Sequence, residues 1–198
     1  MTSPDGRPAD AQDTELTVHL LKATLLDVSP PVWRLIRVPS AVTLAVLHAI
    51  LQVALGWEDR HLHEWRVGES VFASEEEEDW GDDVSSESEA ILADVAPADS
   101  LLHYDYDLGD GWEHLVEVLA VEPYDAKVPP VAVLDGARAV PPEDSGGPTA
   151  YEHLLDALRD PADEEHEDFV AAYGDWFDPE RFDRDVVNQR LESFWRPG

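Results

Sequence analysis

Apolar residues in this chain change their spacing once, and the change comes late. Over residues 16–121 they recur mainly at every second position, the period of a half-buried strand, with a single helical interruption. Beyond residue 149 they recur every three or four positions, the period of an amphipathic helix. Strands first and helices last is the order of an α+β fold, in which helices pack on one face of a largely antiparallel sheet. A length of 198 residues suits one domain, here expected over residues 15–195.

The segments can be read one by one. Leu16, Val18, Leu20 and Leu26 alternate with more polar positions until Ser29-Pro30-Pro31 interrupts them. Residues 32–38 predict a second strand with Trp33, Leu35 and Arg37 on one face and Val32, Arg34, Ile36 and Val38 on the other. Pro39 stops it, and the prolines place it near an edge. Thr43 caps a predicted helix over 44–55, and Gly56 ends it. Residues 61–67 read as a strand that projects His61 and His63 from the same face. A hairpin follows, 101–108 and 112–121 around Gly109-Asp110-Gly111. The proline-rich residues 123–148 read as ordered loop. Thr149 then caps a helix with Tyr151, Leu154, Leu155 and Leu158, Pro161 separates it from one with Phe169, Val170 and Tyr173, and Asp178-Pro179 opens a last one with Phe182, Val186 and Leu191.

Charge narrows the function classes. The chain has 44 Asp+Glu against 13 Lys+Arg, a net charge of −31. Phosphate backbones and anionic membranes repel such a surface, so direct nucleic-acid binding and membrane association are disfavoured. Adaptation to a salt-rich cytoplasm explains the excess, since high charge maintains solubility there and salt screens self-repulsion; a basic partner or a cation is the competing explanation. Ten acids and no base fall between Glu75 and Asp94, which reads as an inserted acidic loop over 74–94, and residues 1–14 read as a disordered acidic tail. That start lacks the basic and apolar parts of a signal peptide, no run reaches the ~18 apolar residues of a membrane helix, and cysteine is absent. A cytoplasmic protein without disulfides or thiolate metal ligands is expected.

Candidate chemistry centres on imidazoles and carboxylates. His61 and His63, with Asp107 or Asp110 and His114 from the hairpin, would form an N/O site for a divalent metal such as Zn²⁺, Mn²⁺ or Ni²⁺, and a metal-bound water would make the chain a hydrolase. The competing reading packs the imidazoles beside Trp65 and Trp112, bonded to the aspartates, with Asp110 building the turn. His61, His63 and His114 are the metal-ligand candidates; Asp107, Asp110, Trp112, Glu143 and Asp144 are the ligand-binding candidates. Glu143 and Asp144 stand side by side in a glycine-bounded loop, where they serve acid and base work or simply turn formation. Tyr104, Tyr106 and Trp112 either stack on a ligand or fill the core. The aspartates of residues 107–111 lack the twelve-residue calcium loop, and the chain has no phosphate-binding glycine loop, no nucleophile elbow and no His-Glu-x-x-His helix.

Several segments together resemble one family. They are Pro30-Pro31-Val32-Trp33-Arg34, Leu47-His48 with Gln52, Gly56-Trp57, His61-Leu62-His63, the run from Tyr104 to His114, and Pro141-Pro142-Glu143-Asp144-Ser145-Gly146-Gly147. In this order, from about Leu16 to Leu191, they look like the plasmid open-reading-frame-three-like family, named after an Ri plasmid. The resemblance implies a compact α+β domain, sometimes encoded beside mobile elements, with no reaction attached. Its leading functional implication is a noncatalytic binding or accessory module for an unknown protein or small molecule; the neighbourhood of some relatives suggests an accessory partner of a mobile-element recombinase. Many members resemble one another in a cysteine where this chain has Ser145, so a thiol-based activity is excluded here.

Overall fold

The strand-period segments form β1 (Thr17–Leu25), β2 (Trp33–Pro39), β3 (His63–Val67), β4 (Ser70–Ala73), β5 (Val84–Ser86), β6 (Leu101–Tyr106), β7 (Trp112–Pro123) and β8 (Ala132–Ala137). The helices are α1 (Leu44–Leu55), α2 (Leu92–Val95), α3 (Gly147–Arg159), α4 (His166–Tyr173) and α5 (Arg184–Phe194). These belong to a computed structural model that describes residues 16–74 and 83–195. One open sheet runs in the order β5-β4-β3-β6-β7-β1-β2-β8, and every pairing except the parallel β4–β5 is antiparallel. The molecule is a single mixed α+β domain. Among the described residues no helix is long and apolar enough to cross a membrane.

Alternation decides which face is covered. Leu21, Ala23 and Leu25 of β1, Tyr104 and Tyr106 of β6, and Trp112 and Val116 of β7 are buried beneath helices that contribute Leu47, Ile50, Leu51, Tyr151, Leu154 and Leu191 to the same core. Full burial of each such Leu or Ile is worth about 1.5–3 kcal/mol before chain entropy is counted. The opposite face stays wet: Lys22 meets Glu117 across β1 and β7, and Arg66 of β3 reaches Asp105 and Glu113. Such exposed pairs add ~0–1 kcal/mol each, and their main effect is to keep this face from associating.

Local chemistry sets the boundaries. The Thr43 hydroxyl accepts from Val46 N and Gly56 closes α1 at φ 105°, a left-handed cap that suits glycine. Elsewhere the structure departs from expectation. The proline-rich stretch contains β8, an edge strand whose Val133 N and O are both paired with the Asn188 amide of α5, so a helix side chain replaces the missing neighbour strand. The acidic segment is not loop throughout: β5 and α2 lie in it, and Glu87 is buried against His63. α3 starts at Gly147 rather than after Thr149, with Gly146 as its cap. α5 starts at Arg184, capped by Asp183 to Asp185 N and Val186 N, because Asp178 spends its carboxylate on Glu180 N and forms a turn instead. Residues 1–14 and the acid run around Trp80 lie outside the described residues.

Candidate functional site

Three segments converge at one end of the sheet: residues 57–62 between α1 and β3, the β6–β7 turn, and residues 138–147 before α3. The first is not strand. Asp59 has φ 53° and its N–H donates to Gln52 of α1, which bends the chain so that β3 begins only at His63. His61 therefore escapes the alternation expected of residues 61–67, and the two histidines separate. His61 Nε2 lies 3.6 Å from Asp107 Oδ2, 3.6 Å from Glu143 Oε2 and 3.3 Å from Asp144 Oδ1. His63 instead stacks on His48 with ring centroids 3.6 Å apart and bonds Glu87 at 2.9 Å.

His114 belongs to neither group. Its Nδ1–H donates to Tyr104 O at 3.1 Å and its Nε2 accepts from Trp57 Nε1 at 3.3 Å, so both ring nitrogens are used. Complete burial pushes its pKa down to about 4, which keeps it neutral. The expected metal trio of His61, His63 and His114 is thus divided among three environments. Trp112 is fully buried against Trp57 and Tyr151, and its ring is core.

The carboxylates, in contrast, come together. Asp107 sits at φ 53° and its Oδ1 accepts from Gly109 N and Asp110 N, which aims Oδ2 at His61. Asp110 does not face the cluster; its Oδ2 accepts from Gly146 N and ties the hairpin turn to the following loop. Gly147, at φ +82°, packs so closely on this turn that a Cβ would stand 2.4 Å from Asp110 O, which accounts for glycine at that position. Ser145 closes the loop by donating to Pro142 O. The result is a rigid mount for Glu143 and Asp144.

Glu143 is held most firmly. Its Oε1 accepts from Glu58 N at 2.7 Å and Tyr106 Oη at 3.0 Å, while Arg60 N donates to the same tyrosine oxygen. Burial, and then the neighbouring carboxylate, push the Tyr106 phenol upward, so it remains a donor at neutral pH. The Glu143 side chain is only 9% exposed, yet its Oε2 has no hydrogen-bond partner, and neither does the buried His61 Nε2 that it faces. Ligand atoms of His61, Asp107 and Asp144 all lie within 4.8 Å of one another. The sequence names every one of these residues and groups His61 with Asp107, but it leaves Glu143 and Asp144 as a separate loop pair; the motif blocks containing 61, 107 and 143–144 carry the signal, and only the loop bends join them.

The chain is similar to known proteins along most of its length. The model of the plasmid pRiA4b ORF-3-like protein family matches residues 17–186. An uncharacterized protein of Sinorhizobium fredii, y4hQ, is 38% identical over 152 residues, which span 76% of this chain and 77% of that protein. The crystal structure of MM3350 from Methanosarcina mazei, a protein of unknown function, matches at a TM-score of 0.81 and 36% identity, covering 88% of this chain and 99% of that one. Motif order, fold and these similarities agree, and the chain belongs to the plasmid pRiA4b ORF-3-like family.

Proposed function

We propose that this domain is a divalent-cation-binding module, with His61, Asp107 and Asp144 as ligands and Glu143 facing His61 beside them. The observation that carries this reading is the spacing around His61 Nε2. Distances of 3.3, 3.6 and 3.6 Å are too long for N–H···O bonds, which fall near 2.7–3.2 Å. They match the edge of a ligand tetrahedron, about 3.3–3.6 Å when each metal–ligand bond is about 2.0–2.2 Å. Three carboxylates around one imidazole also repel one another, and a cation supplies the counter-charge. The two orphaned buried atoms, His61 Nε2 and Glu143 Oε2, would gain the partner they lack.

Metal titration by calorimetry tests this on the full chain without a histidine tag. One Zn²⁺ or Mn²⁺ per chain is expected, with affinity reduced by at least about tenfold in His61→Ala and in Glu143→Gln. His63→Ala should leave uptake unchanged. Uptake that is substoichiometric, or indifferent to His61→Ala, would overturn the reading.

A metal-dependent hydrolase is the second reading, favoured by the position of Asp144. Its side chain is 69% exposed, so a bound cation would be reached by water from that side. There the metal would supply a water acidified for attack, while Glu143, mounted by Tyr106 and Glu58, would be the carboxylate placed to take its proton.

We further place the protein in a salt-rich cytoplasm, supported by the net charge of −31 and the lack of cysteine. The melting temperature should then rise between low and molar KCl; a salt-independent value would count against it.

A further inference from the structure

Beside the carboxylate cluster a cleft of about 390 Å³ opens between α1, residues 139–143 and the segment leading into α5, with Glu143 on its wall. That volume lies within the ~300–1,000 Å³ of small-molecule sites. Its far wall carries Trp176, left 62% exposed, together with Phe182, Val186, Arg181 and Arg190.

The two arginines are exposed and unpaired, unlike most bases of this chain. Lys22, Arg60, Arg66, Arg138, Arg159 and Arg184 are all held in ion pairs, and Arg34 is held by backbone carbonyls. Among the described residues Arg181 and Arg190, like the buried Arg37 and the distant Lys127, have no side-chain partner, although acids outnumber bases more than threefold; of these four only Arg181 and Arg190 line the cleft. The acids lining the same cleft are engaged locally. Glu58 pairs with Arg60, Asp178 accepts from Glu180 N, Asp183 caps α5, and Glu143 Oε1 is held by Glu58 N and Tyr106. Beside these carboxylates, of which Glu143 turns its unpaired Oε2 to His61, the cleft offers a ligand two free guanidiniums and an exposed indole.

We propose that this cleft binds a small aromatic phosphate: a planar ring system laid against Trp176, carrying a phosphomonoester held by Arg181 and Arg190. Guanidinium forks match phosphate oxygens and indole faces match heteroaromatic rings, so both halves of the ligand have a stated counterpart. The ligand is a mononucleotide-sized molecule, since the chain's overall charge repels a polyphosphate backbone. The site is separate from the cation ligands except for the shared Glu143.

AMP and adenosine, titrated against the full chain with a chelator present, provide the test. AMP should bind at least about tenfold more tightly than adenosine, the factor that ~1.4 kcal/mol of phosphate contact would give. Arg181→Gln with Arg190→Gln should abolish that difference, and Trp176→Ala should weaken both ligands. These are exposed side chains, so the variants keep the fold, which circular dichroism would verify. The proposal fails if AMP does not bind, if adenosine binds equally well, or if the double glutamine variant retains the preference. Because metal is excluded, such a failure leaves the cation reading intact, and His61→Ala should leave AMP binding unchanged.

Discussion

Replacing Arg34 with methionine should lower the stability of the domain by about 3–5 kcal/mol, the cost of leaving a set of buried polar partners without their charge. Arg34 is 2% exposed on β2 and has no acidic partner. Its Nε donates to Ala54 O at 3.0 Å and its Nη2 to Leu55 O at 3.4 Å, so it serves the last carbonyls of α1, which has no basic residue in its own final turn. The remaining donors reach Trp33 O, Ala137 O and Arg138 O at 2.8–2.9 Å, and the guanidinium lies 4.2 Å from the Phe182 ring. One side chain thereby joins α1, β2, β8 and the α5 approach. Burial lowers its pKa to about 10, which still leaves it charged at neutral pH. Lysine should recover less than half of the loss, because one ammonium cannot span five carbonyls set around a planar fork. Urea unfolding of the two variants decides the matter: a loss below about 1 kcal/mol for Arg34→Met would show that water replaces the guanidinium without penalty.

Acid should weaken the fold through its buried histidines, chiefly His114. Its folded-state pKa of about 4 lies below the ordinary 6.5, so between those values the unfolded chain binds a proton that the folded one refuses. Stability from this group is complete above about pH 6.5 and is lost progressively as pH falls toward 4, reaching about 3 kcal/mol. His19 and His48 are lowered in the same direction, again mainly by burial, with the stacked His63 adding to the effect at His48. Relief of acidic repulsion works the other way over the same range, so the comparison must be internal. Relative to the wild type, His114→Gln should reduce the slope of unfolding free energy against pH between 6.5 and 4 by close to one proton. An unchanged slope would mean that His114 is not the neutral, buried base described above.

How much of this was legible in sequence can be followed residue by residue. Thr43 and Gly56 announced both ends of α1 because capping is a contact within a few residues. The alternation in residues 101–106 and 112–121 announced the hairpin for the same local reason. β8 was hidden among prolines, since an edge strand needs only one neighbour and draws its second from Asn188, more than fifty residues away. The sequence starts α5 too early because Asp178 and Asp183 are equivalent capping residues on paper, and only packing of the 178–183 turn chooses between them.

The site divides along the same line. His61, Asp107, Glu143 and Asp144 were visible as chemistry-bearing residues, and the strand period even grouped Arg34 with Val32, Ile36 and Val38, the face that proves buried. The period could not say that Asp59 turns the chain with a positive φ, and that turn alone sends His61 to the acids and His63 to Glu87. Local caps and the one shift in apolar spacing thus determined the α+β class and most elements, and the short motif blocks carried the resemblance to the family; all of these depend on residues close in sequence. Which imidazole meets which carboxylate was decided only in three dimensions, because it rests on loop bends and on contacts such as Asp110 with Gly146, where each end is meaningless without the other.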